Sequence, residues 1–85
     1  MPVILRVTGY VFFFYSNEGD PREPVHVHVR RAGSEAKIWL EPTIGVAESK
    51  GFNSKEQSAI LRIVFTHRVL IAEAWRDYFG DGRSI

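Results

Sequence analysis

Hydrophobic and polar positions divide the chain into short extended runs followed by one long helical pattern. Val3 to Val7 and Tyr10 to Ser16 are β-branched and aromatic runs on either side of Thr8-Gly9, which predicts a hairpin with strands at about 3–7 and 10–16. In the second run both parities are large and apolar, with Tyr10, Phe12 and Phe14 on one side and Val11, Phe13 and Tyr15 on the other. Each side needs cover, so this run is expected to be a central strand. Ser16 to Pro24 is made of turn formers and charges, and Pro21 and Pro24 make it a loop. Val25 to Arg31 then alternates strictly, valines on one face and His26, His28 and Arg30 on the other. A turn around Ala32-Gly33-Ser34 leads to a fourth strand at about 35–40, with Ala36, Ile38 and Leu40 inward and Lys37 and Trp39 outward. Matching the apolar faces sets the register so that His26 and His28 lie beside Lys37 and Trp39. A short strand at 46–48 completes the extended part.

From Asn53 onward the period changes to that of a helix. Asn53 with Glu56, or Ser54 with Gln57, supplies an N-cap and its partner, and Gly80 supplies the stop, predicting one helix over about 54–79. Ile60, Ile63, Val64, Ile71, Ala74, Trp75 and Tyr78 share a stripe centred on His67. A second apolar wedge, Leu61, Phe65, Val69, Ala72 and Phe79, covers much of the remaining surface. One sheet face needs only the first stripe, so the wedge predicts burial in a homo-oligomer or against a partner protein. The expected fold class is α+β: a small, mostly antiparallel sheet of four to five strands with one long C-terminal helix on one face.

Composition narrows the class without naming an activity. Eighty-five residues, 45% hydrophobic and 25% charged, predict one folded domain with a single core. The absence of cysteine excludes disulfides and thiolate zinc sites and suits a reducing compartment, here expected to be the cytoplasm. Arg6 and Thr8-Gly9 interrupt the most apolar stretch, so neither a spanning helix nor a signal peptide is expected, and no membrane association. A net charge of +1 supplies no general attraction for a polyanion, so nucleic-acid binding would need a local patch.

The chemistry that stands out is His26-x-His28 on one strand face, with side chains about 7 Å apart. Three readings compete. The pair can be half-exposed strand residues stacked on Trp39 or the aromatics of the second strand. It can be two ligands of a metal site, which would need a third from Glu18, Asp20, Glu23 or His67. It can also be an acid and a base for metal-free RNA cleavage, with Arg30, Arg31 and Lys37 holding phosphate and Trp39 and Tyr15 stacking unpaired bases. No cofactor is expected. Phosphate-binding glycine loops, nucleophile elbows and paired-carboxylate sites are absent from the sequence.

Ile4-Leu5-Arg6, Gly9 to Glu18, Glu23-Pro24-x-His26-Val27-His28-Val29, Ala36 to Pro42 and the Ala74-Trp75 to Phe79-Gly80 ending together resemble the small prokaryotic domain-of-unknown-function family 4160 over about residues 1–80. The resemblance carries no catalytic residues; Glu18, His26, His28 and Trp39 are its typical positions. It implies one half of a toxin–antitoxin pair, encoded beside a small partner of the domain-of-unknown-function family 2442. Asp20-Pro21-Arg22 lengthens the loop, and His67 stands where a polar residue such as Asn is expected. The leading expectation is therefore a toxin-like component acting on RNA, with His26 and His28 as acid and base and Glu18 in support. The alternatives are a non-catalytic interaction or nucleic-acid-binding module, antitoxin or regulator, acting through the helix, and a His-based metal-binding protein.

Overall fold

The computed structural model describes residues 2–16 and 23–80. Five strands come first: β1 (Val3–Val7), β2 (Tyr10–Phe13), β3 (His26–Arg31), β4 (Ser34–Trp39) and β5 (Gly45–Lys50). They form one antiparallel sheet in the order of the chain, β1-β2-β3-β4-β5. Two hairpins are closed by Thr8-Gly9 and Ala32-Gly33, and all four residues have φ between 47° and 86°. That is the geometry of a two-residue turn whose twist matches the strands, and glycine at the second position accepts it freely. β2 ends at Phe13 rather than near residue 16, although the Phe14 N–H still donates to the Pro2 carbonyl (3.1 Å).

The β3–β4 register is the one expected from matched faces. Val27 lies opposite Ile38 and Val29 opposite Ala36, which sets His26 opposite Trp39 and His28 opposite Lys37. The valine face is the inner one. With Phe12, Phe14, Ile38 and Leu40 it packs on Ile60, Val64, Ile71 and Trp75 from the helices, and this is the core. Burying a side chain of this size contributes about 1.5–3 kcal/mol, so the inner parity of the strands and one helix stripe supply most of the driving force for folding.

The C-terminal region is two helices rather than the single one expected: α1 (Ser54–Thr66) and α2 (Arg68–Phe79), with His67 between them at φ −107°, ψ 21°. The N-terminus is the expected capping box: Asn53 Oδ1 accepts from the Glu56 N–H (2.8 Å) and Glu56 Oε1 accepts from the Asn53 N–H (2.9 Å). The break has a local cause. Three successive side chains engage carbonyls of the preceding turn: Thr66 Oγ1 donates to Arg62 (2.9 Å), His67 Nδ1 lies 2.8 Å from the Ile63 carbonyl, and the Arg68 guanidinium donates to Phe65 (2.7 Å). Side chains that bond back to such carbonyls bend a helix without displacing every backbone donor: the His67 N–H still donates to Ile63 (3.0 Å) and the His67 carbonyl still accepts from the Ile71 N–H (2.9 Å). Hydrophobic periodicity runs straight through residue 67 and cannot register these side-chain bonds. Among the described residues no helix is long and apolar enough to cross a membrane.

Candidate functional site

The face of the sheet turned away from the helices carries most of the expected chemistry, and β-strand parity explains why. Residues of odd number on β2 and β4 and of even number on β3 point to this side: Phe13, His26, His28, Arg30, Glu35, Lys37 and Trp39. Three cross-strand rows result. One runs Arg6, Val11, Arg30, Glu35, Lys50; the next Phe13, His28, Lys37, Glu48; the last contains His26 and Trp39. Side chains opposite each other in such a row have Cβ atoms about 4.5–5.5 Å apart, so the signs alternate at contact range.

The two histidines have different surroundings. His26 is fully buried, its ring against Trp75 (4.8 Å between centroids), His28 (5.3 Å) and Trp39 (5.4 Å), with Nδ1 3.0 Å from the Pro24 carbonyl. It is part of the packing at the edge where α2 meets the sheet. His28, 6% exposed, stacks on Phe13 (5.7 Å) and meets the edge of Tyr15 (4.5 Å). Its Nδ1 lies 4.0 Å from Glu35 Oε2, the same oxygen that accepts the Tyr15 hydroxyl at 2.7 Å. Tyr15, His28 and Glu35 thus converge on one carboxylate oxygen. They line a groove of about 750 Å³ whose other walls include Lys37, Glu48 and Lys50.

The remaining expected phosphate contacts separate. Lys37 is engaged twice, its ammonium 2.7 Å from Glu23 Oε1 and 4.6 Å above the Trp39 ring. One face of Trp39 is therefore already occupied. Arg30 is exposed, with its guanidinium 5.0 Å from the Phe13 ring. Arg31 has the opposite parity: it lies 4.7 Å from the Tyr10 ring on the helix side and does not join the others. Glu18 lies outside the described residues, as does Asp20. Among the described residues no group of three or more His, Asp or Glu side chains is placed to hold a metal ion. Sequence reasoning passed over Glu35, although the parity that put Lys37 and Trp39 outward puts Glu35 there too. Glu48 and Lys50 depended on the β4–β5 pairing, which contains a register shift between Lys37 and Ile38 that no sequence pattern announces.

The second apolar wedge of the helices also divides. Leu61, Ala72 and Phe79 are partly buried against the core, Phe79 lying 4.3 Å from Trp75 and 5.7 Å from Phe14. Phe65 and Val69 remain exposed, at 56% and 63%, and are joined by Leu70 at 47%.

Fold and groove together define a small α+β domain: an antiparallel meander with one face on two helices and a polar, aromatic face on the other side. The chain belongs to the family described as Domain of unknown function (DUF4160), whose model matches residues 9–76. No curated protein and no solved structure matches the chain.

Proposed function

We propose that this protein is a toxin-like component of a prokaryotic two-protein toxin–antitoxin module that acts on single-stranded RNA at the open face of its sheet. The observation that carries this reading is the shared carboxylate oxygen: Glu35 accepts from the Tyr15 hydroxyl and lies beside His28, in a groove bordered by Lys37 and Lys50. Metal-free cleavage of RNA needs a group to take the proton of a 2′-hydroxyl, a group to protonate the departing 5′-oxygen, and cations for the charge on phosphorus. Glu35 is the proton acceptor in this reading, His28 the donor, and Lys50 with Arg30 the phosphate contacts. Attack of the 2′-oxygen on phosphorus then leaves a cyclic phosphate and a free 5′-hydroxyl. His26, enclosed between two tryptophans and bonded at the Pro24 carbonyl, acts by packing His28 in place. The two-protein setting rests on the resemblance of the sequence to toxin–antitoxin components.

Inducible expression of the chain in a bacterial host, alone and with its gene neighbour, tests the proposal. The expected result is growth arrest with fragmented RNA, relieved by the neighbour and abolished by Glu35→Gln and by His28→Ala. Undamaged RNA together with unhindered growth overturns it, as does cleavage that survives both substitutions.

A further inference from the structure

The exposed apolar patch on the helices is on the opposite side of the molecule from the groove, and its charges identify what covers it. Phe65, Val69 and Leu70 form its centre. One turn before the centre stands Arg62 and one turn after it Glu73, both exposed, and neither has an ion-pair partner among the described residues. Arg68 holds Phe65 outward, its guanidinium 4.1 Å from the ring centroid. Basic and acidic ends flank a middle of Phe65, Val69 and Leu70 with Arg68 beside it, an arrangement that is self-complementary under a two-fold rotation. An axis midway between Phe65 and Leu70, beside the break at His67, sets Phe65 against Leu70, Thr66 against Val69, Arg62 against Glu73 and Ser58 against Asp77. Each of these contacts is made twice, as an isologous interface requires. Glu73 and Asp77 count against a nucleic acid or an anionic lipid surface on the same patch, because they place like charges against it.

We propose that this helix face is the contact between two copies of the chain, packed antiparallel across α1 and α2 with Arg62 of each copy paired to Glu73 of the other. The proposal is independent of the RNA reading, since none of its residues borders the groove. The edges of the sheet are not the route to association. The two outer ladders, β1–β2 and β4–β5, each contain a register shift, whereas the two inner ladders have none. Bulges at sheet edges discourage strand-to-strand addition.

Sedimentation velocity on the purified full chain, with charge-reversed variants, decides the matter. The wild-type chain is expected to sediment at twice 9.7 kDa. Arg62→Glu and Glu73→Arg, each made alone, place like charges together at two symmetric positions and are expected to weaken self-association by at least about tenfold. The double variant, Arg62→Glu with Glu73→Arg, restores the pairing and is expected to regain the dimer, which separates a lost interface from a lost fold. A monomeric wild-type chain overturns the proposal. So does a dimer indifferent to both single reversals, and so does a chain that is monomeric alone and uses this face for a different protein.

Discussion

His26 and His28 are two residues apart on one strand and share a face, yet their neighbours give them different work. The ring of His26 is enclosed by Trp39, Trp75 and His28, so removing it opens a cavity at the junction of sheet and helix. Truncating a buried side chain of this size costs about 2–4 kcal/mol. Glu35 is half-exposed and its charge is shared with water, so converting it to an amide is expected to change stability by no more than about 0.5–1 kcal/mol. Urea titration of His26→Ala and Glu35→Gln is expected to show a large fall in midpoint for the first and a small one for the second. Activity is expected to follow the reverse rule: Glu35→Gln is folded and inactive, while His26→Ala loses activity only as far as its fold and the packing of His28 are lost. A His26→Ala protein as stable as wild type contradicts the packing role. The alternation of β3 was legible as a pattern of faces, but it could not distinguish a histidine under two tryptophans from one facing a carboxylate.

At the scale of elements, the strands were legible because their inner parity is uniformly apolar and their turns carry glycine where a left-handed residue is needed. The register of β3 on β4 followed from the same parity, since a slip by one residue would turn Val27, Val29, Ile38 and Ala36 out to solvent. The helical region was legible in extent and capping but not in continuity. Thr66, His67 and Arg68 bond their side chains to the carbonyls of Arg62, Ile63 and Phe65, and such bonds are a property of side-chain donors rather than of hydrophobic periodicity. Replacing Thr66 and His67 together by alanine removes two of these donors and favours a continuous helix. Amide hydrogen exchange is expected to slow over residues 66–70 in that variant. Unchanged exchange there would mean that the packing of Ile71 and Trp75, and not the local hydrogen bonds, holds the bend.

At the scale of the molecule the charges of the open face alternate in sign across the strands, with Arg30 opposite Glu35, Glu35 opposite Lys50 and Lys37 opposite Glu48. Such a face recognises a short segment at fixed points and does not form a broad cationic track. RNA binding is therefore expected to weaken with salt only gently. With Arg30 and Lys50, and Lys37 when released from Glu23, neutralising phosphates, the slope of log K against log salt comes to roughly −2 for a single strand. Fluorescence anisotropy over a range of salt concentrations measures it. A slope several times steeper would place the nucleic acid on residues other than these. The helices on the far side keep their own apolar patch out of this face, so the two surfaces can be altered one at a time.

The amino-acid sequence by itself determined the order of elements, the inner faces of the strands, the hairpin turns, the N-cap and the family, because each is written in residues close to one another along the chain. Beyond the β3–β4 pairs that face matching gave, tertiary structure decided which outward side chains meet. Tyr15, just beyond β2, meets His28 of β3 and Glu35 of β4 at one carboxylate oxygen only through strand pairing, and Arg31 is separated from Arg30 by the single step of parity that sends it to the helix side. Burial of His26 likewise depends on Trp75, which reaches it from a helix that follows it in the chain by more than forty residues. Local patterns carry hydrophobic and turn preferences, whereas a site is a matter of distances between residues remote in sequence, which packing alone sets.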